Sequence, residues 1–162
     1  VHKSPCCIKS SEFNVLAGNS DAHLKNLSFM VSHEGVQLAP FYGLLSIATY
    51  DSPAFEKKGW PEQTQLAWPI LGVRHFSSIT RSVLLEAGAV LNLKRGTADR
   101  VLESLRGRVV AEAQALCAEV EAENAEIVRQ RPELASTVAG EIRCVRAIVH
   151  TVLKERVKQI SA

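Results

Sequence analysis

Residues 18–26, Gly-Asn-Ser-Asp-Ala-His-Leu-Lys-Asn, place a carboxylate (Asp21), an imidazole (His23), an amine (Lys25) and a carboxamide (Asn26) between two apolar runs. Phosphoryl transfer asks for groups of this kind. A carboxylate accepts the proton of the attacking hydroxyl, and a carboxamide or carboxylate close by holds Mg²⁺ against the phosphates. Asp21 and Asn26, on one short loop, supply both. Asn, Ser, Asp and Gly are also turn formers, so a solvated link accounts for the stretch equally well on composition. The surroundings have to decide.

Those surroundings read mainly as helix. The run "EFNVLA" from Glu12 to Ala17 fits the end of a helix entering a loop. After the polar loop, Leu27–Val31 and Val36–Pro40 are short apolar runs separated by "SHEG", whose Gly35 can adopt positive φ; they read as a β-hairpin. Phe41 to Tyr50, "FYGLLSIATY", is apolar enough to expect burial. Residues 51–81 hold prolines, both tryptophans and Lys57-Lys58, the composition of an irregular loop. From Ser82 to Leu93 apolar residues recur at helical spacing. Thr97 reads as the N-cap of a long helix whose stripe runs through Leu102, Leu105, Val109, Ala113, Leu116, Val120 and Ile127. Pro132 ends it, and Leu134, Val138, Ile142, Val145, Val149, Val152 and Ile160 mark an antiparallel second stripe. A single domain is expected, with segments 1–12, 13–50, 51–81 and 82–162.

Composition narrows the classes. The 162 residues are 46% hydrophobic and 22% charged, ordinary for a soluble globular chain. A net charge of +2 names no polyanionic partner without clustering. No apolar run approaches a membrane span and the start lacks a signal-peptide core, so a cytoplasmic protein is expected. The four cysteines show no Cys-x-x-Cys spacing and read as reduced structural thiols. A chain that begins with Val reads as the inside or the processed form of a longer product.

Taken in order, "FNVLAGNSDAHLKNLSF…LAPFYGLLS" resembles the catalytic segment of HipA-type serine/threonine kinases, the toxins of bacterial toxin–antitoxin pairs. Their loop has the form G-N-x-D-x-H-x-x-N and is followed by L-x-P-x-Y-D-x-x-S. The resemblance covers Phe13 to Ser46 closely and the helices to Ile160 loosely. It implies the helical C-terminal lobe of a protein-kinase-like fold, with a small β-hairpin after the catalytic loop. It also implies ATP and Mg²⁺ as cofactors, Asp21 as base, Asn26 as metal ligand, and His23, Lys25, Asn26 and Tyr42 around the nucleotide.

Two departures limit that implication. Gly43 stands where the pattern has the metal-binding Asp, so transfer by this chain alone is expected to be severely impaired or absent, with ATP and Mg²⁺ held weakly if at all. Asp51 could substitute only along a different loop path. The nine glycines include no Gly-x-Gly loop, and nothing before Asp21 offers an N-terminal lobe with its nucleotide lysine. Residues 1–12, "VHKSPCCIKSSE", match nothing ahead of the family's catalytic loop. Expected partners are therefore an antitoxin or the missing lobe, an unidentified protein substrate, and a second copy through uncovered apolar surface. The alternative function is a non-catalytic docking module. DNA is a further expected partner, through an antitoxin complex, with Arg74 and Arg81 as contacts beside Lys94, Arg95 and Arg100 in a loose helix-turn-helix likeness.

Overall fold

A computed structural model of the chain describes residues 4–161. The expectation drawn from Val1 and that for the Cys6 and Cys7 thiols fall outside the described residues and side chains. The chain is mostly helical, with two small antiparallel hairpins. Helix α1 (Ser4–Leu16) comes first, so the segment 1–12, which matched nothing in the family's pattern, is helical from residue 4. Ile8, Glu12, Val15 and Leu16 are buried at helical spacing and make one core-facing stripe, with Ser10 buried beside it. The helix ends, as expected, just before the polar loop.

The first hairpin pairs β1 (Phe29–Ser32) with β2 (Gly35–Leu38), Phe29 opposite Leu38 and Ser32 opposite Gly35. Gly35 has φ +114°, a left-handed value that the reversal requires. A second hairpin, β3 (Gln65–Ile70) with β4 (Val73–His75), corrects the expectation of an irregular loop over 51–81. Its turn is Leu71-Gly72, both at positive φ, the conformation of a tight two-residue connection. Pro69 and Trp68 hid it, because a proline inside a short apolar run argues against a strand and is tolerated only at an edge.

Helix α2 (Arg81–Val90) starts at Thr80, whose hydroxyl accepts from the Val83 N–H at 3.4 Å. Helix α3 (Arg95–Gln130) is preceded by Lys94 in extended conformation; Thr97 is therefore inside the helix and caps nothing, which corrects its assignment. Its stripe is also narrower than expected. Cys117 and Asn124 are buried, whereas Leu116 is 59% exposed. After the turn at Arg131-Pro132, α4 (Ala135–Ala147), a π-helical turn (Ile148–Leu153) and α5 (Lys154–Ser161) return along α3 as a nearly continuous helical run. An Arg146–Glu121 ion pair at 2.7 Å spans α4 and α3. Cys117 and Cys144 are free thiols, and burial pushes the Cys117 thiol above its usual range.

One core joins the ends of the chain. Val15 and Leu16 pack with Ala48, Trp60, Phe76, Leu102, Val152 and Ile160, and the Trp60 and Phe76 rings lie 5.2 Å apart. Arg156 lies inside it, fully buried, donating to the carbonyls of Phe76 at 2.8 Å and Ile79 at 3.1 Å. Desolvation lowers its pKa to about 10, still charged at neutral pH. Arg156→Met keeps the apolar stem and strands both carbonyls, so urea unfolding should show a loss of about 2–4 kcal/mol. A loss under about 0.5 kcal/mol would mean that these bonds do not hold the segment.

The run Phe41–Tyr50 corrects another expectation. Only Ala48 and Thr49 are buried; Tyr42, Leu44, Leu45 and Tyr50 are about half exposed. The hairpin is barer still, with Phe29 at 56% and Val31 at 79% exposure. Among the described residues no helix is long and apolar enough to cross a membrane.

Candidate functional site

The polar loop is positioned from three sides. Gly18 leaves α1 at φ +65°, a conformation and a space reserved for glycine: a Cβ there would lie 2.6 Å from Val152 Cγ1 and 2.7 Å from Ala48 Cβ. Its carbonyl accepts from the Ala48 N–H at 3.0 Å, and the Ser20 carbonyl accepts from Ala67 N–H on β3 at 2.9 Å. The π-helical turn, the 47–51 segment and the second hairpin therefore all grip the loop at or just after its first residue.

Asn19 does what the sequence did not reveal. Its side chain, 1% exposed, donates to Asn14 Oδ1 and to the Gly43 carbonyl, both at 2.9 Å, and accepts from the Asp21 N–H at 3.2 Å. One amide thus fixes the carboxylate-bearing loop and the Gly43 segment to α1. In the sequence Asn19 and Asn14 look like a turn residue and a helix-end residue. Only their spacing of five across a helix terminus hinted at a shared role.

Asp21 is exposed, its carboxylate 3.9 Å from His23 Nε2. A 3₁₀ turn, Leu24–Asn26, then carries Asn26 inward. The Tyr42 hydroxyl donates to the Lys25 carbonyl at 2.5 Å and lies 3.1 Å from Ser28 Oγ, so Tyr42 braces the loop rather than simply filling the core. The Lys25 side chain is exposed. Beside the loop a cleft of about 160 Å³ opens between α1, the loop, residues 41–44 and β3. Of the expected residues, His23, Asn26, Tyr42 and Gly43 line it; Asp21 and Lys25 stand outside its lining. Among the described residues no Lys, Arg, Asp or Glu lines it.

The metal question turns on position 43. Gly43 has φ +65°, and a Cβ there would come within 2.3 Å of Asn26 Nδ2. The amide of Asn26 fills the space in which a side chain at 43 would begin. Asn26 Oδ1 is buried without a hydrogen-bond partner, as is His23 Nδ1. Among the described residues no group of three or more His, Cys, Asp and Glu converges as metal ligands do. Asp51 does not substitute: its carboxylate accepts from Thr64 Oγ1 at 3.0 Å and is not part of the cleft. With one exposed carboxylate and one inward-turned carboxamide, the residues present do not fit a Mg²⁺–nucleotide site.

The two expected DNA contacts differ in their surroundings. Arg81 is engaged by Asp99 and Glu103, and Glu103 also pairs with Arg106, so its charge is neutralised between α2 and α3. Those ion pairs hold the Arg81 guanidinium above its ordinary range and Glu103 below its own. Arg74 is exposed on β4. Lys94, Arg95 and Arg100 are exposed around the start of α3.

Comparison with known proteins supplies the family. The HipA-like C-terminal domain model matches residues 7–115, which takes in part of the segment without recognisable resemblance. A serine/threonine-protein kinase toxin HipA of Shewanella oneidensis is 46% identical over 39 residues, 24% of this chain and 9% of the relative. The Y4mE protein of Sinorhizobium fredii is 47% identical over 38 residues, with the same shares. A solved complex of Shewanella oneidensis HipA, HipB and operator DNA contains a similar chain, with TM-score 0.57 and 25% identity over 98% of this chain and 33% of that one. This chain therefore spans about a third of its solved neighbour.

Proposed function

The chain belongs to the HipA-like C-terminal domain family, and from that premise we propose that it is the C-terminal lobe of a serine/threonine kinase toxin in which phosphoryl transfer is disabled at Gly43. The observation that carries this reading is the pairing of an intact loop with an emptied partner position. Asp21 stays exposed where a general base could meet a protein hydroxyl, and Asn19 holds it in register with the Gly43 segment. At 43 there is no carboxylate, and Asn26 has turned into the gap. ATP and Mg²⁺ belong to the parent activity by resemblance, and the chain as it stands is read as holding them weakly or not at all.

Two assays test this. Given ATP, Mg²⁺ and a serine/threonine substrate protein, the chain should transfer no phosphate; transfer that Asp21→Asn abolishes would overturn the disabled-site reading. Gly43→Asp should restore transfer in a longer product that carries a nucleotide lobe, and Asp21→Asn should then remove it by about 10²–10⁴-fold. A folded Gly43→Asp product with no transfer would count against the kinase reading itself. In the short chain Gly43→Asp should lower stability by about 1–2 kcal/mol, because the backbone is left-handed and Asn26 must move aside.

A second reading has its own support. Met30, Val31, Leu44 and Leu45 are half exposed or nearly so, Val31 more, apolar surface of the kind that a non-catalytic docking module would present to an antitoxin, to a missing kinase half or to a second copy. Sedimentation of the chain as a clean monomer, with no co-purification of a protein encoded beside it, would argue against this reading.

A further inference from the structure

The cleft beside the polar loop has the walls of a ligand site and the wrong chemistry for a polyphosphate. Alternate residues of β3, Leu66, Trp68 and Ile70, form one wall, as the period of two in a strand allows. The 41–44 segment supplies Phe41, Tyr42 and Leu44, and Asn14 and Val15 of α1 close the remaining side. These elements are tied at fixed points. The Ala67 N–H donates to the Ser20 carbonyl at 2.9 Å, and the Asn19 amide joins Asn14 to the Gly43 carbonyl. The walls are therefore preformed, as those of small-molecule sites usually are.

The polar groups around the cleft are already engaged or turned away. The Tyr42 hydroxyl is held by the Lys25 carbonyl and Ser28, and the Asn19 amide by α1 and the Gly43 segment. Asn26 Oδ1 and His23 Nδ1 are themselves buried, so neither faces the opening. Among the described residues no charged Lys, Arg, Asp or Glu lines it, and an ion that entered would lose its hydration with nothing to replace it. Trp68, Tyr42 and Leu44, by contrast, are each about half exposed and offer apolar surface that a flat ring would cover. The volume, about 160 Å³, is close to the roughly 150 Å³ of an apolar cavity that accepts benzene, and below the roughly 300–1,000 Å³ of drug-sized sites.

We infer that this cleft is a binding site for an uncharged aromatic small molecule of one or two rings. The inference deepens the disabled-site reading, since it rests on the misfit between these walls and a Mg²⁺–nucleotide, and it needs no phosphoryl transfer by the chain.

Three probes of one shape and different charge test it: benzamide, neutral; benzoate, an anion; and benzamidine, a cation. Each is titrated into the whole chain by calorimetry, with quenching of tryptophan fluorescence as a second readout. Benzamide should bind with a Kd of about 1 mM or tighter, and both ions at least about tenfold more weakly. Trp68→Phe should remove the fluorescence change and keep the calorimetric signal, because Trp60 is buried in the core and away from the cleft. Leu44→Glu places a carboxylate on the exposed wall, so it should weaken benzamide about tenfold and make benzamidine the preferred probe. A misfolded protein would not gain that preference. Leu116→Glu, exposed on α3 and outside the cleft, should leave all three titrations as they were. Equal binding of the three probes, or a benzamide affinity that Leu44→Glu leaves unchanged, would overturn the inference. If benzamide does not bind and ATP with Mg²⁺ does not either, the inference falls and the disabled-site reading stands; if ATP with Mg²⁺ displaces benzamide, both fall.

Discussion

Gly18→Ala is expected to destabilise the chain by roughly 3 kcal/mol, the sum of a left-handed backbone that alanine resists and of overpacking against two side chains. The added Cβ would sit 2.6 Å from Val152 Cγ1 and 2.7 Å from Ala48 Cβ, both of them fully buried, and neither neighbour has room to retreat. Urea unfolding should show the fall as a lower midpoint with unchanged slope. Adding Val152→Ala removes one of the two collisions, so the double variant should be less damaged than the sum of the singles, with a coupling of about 1 kcal/mol. Strict additivity would mean that Gly18 does not press on the π-helical turn, and the account of how the loop is positioned would fail with it.

Glu12→Gln is expected to stabilise the chain, and only above the ordinary carboxylate range. Glu12 lies on the core-facing stripe of α1, wholly buried, with neither carboxylate oxygen hydrogen-bonded. Desolvation raises its pKa from 4.5 to about 8. Below pH 4.5 the group is neutral in the folded and the unfolded chain alike, so it makes no pH-dependent difference. Between pH 4.5 and 8 the unfolded chain loses the proton while the folded chain keeps it, and stability falls with rising pH. Above pH 8 the loss is complete, at most about 4–5 kcal/mol. The glutamine variant should lack this slope, matching the parent near pH 4.5 and exceeding it by several kcal/mol near pH 8. Parallel pH profiles for the two proteins would refute the burial-driven shift.

These two positions and position 43 differ in how far the sequence foretold them. The loop pattern from Gly18 to Asn26, the first hairpin and the return of the chain after Pro132 were legible, because each depends on residues close in sequence. So was the absence of a carboxylate at position 43, which needs no coordinates to be noticed. The second hairpin was not legible, because Trp68-Pro69 sent the opposite local signal. The exposure of Leu44 and Leu45 was not either: apolar composition states what a segment would bury, not whether anything is there to cover it. Arg81 looked like a free cation until Asp99 and Glu103, on the next helix, were placed beside it.

By itself, then, the sequence determined the helical class, the order of the loop residues and the absence of a carboxylate at 43, all properties of local spacing and residue chemistry. The tertiary structure alone decided that Asn19 ties Asp21 to Gly43, that Asn26 occupies the gap, and that Glu12 and Arg156 are buried. The reason is physical. Periodicity and turn chemistry act within a few residues, whereas desolvation, close packing and charge pairing depend on groups brought together from distant parts of the chain.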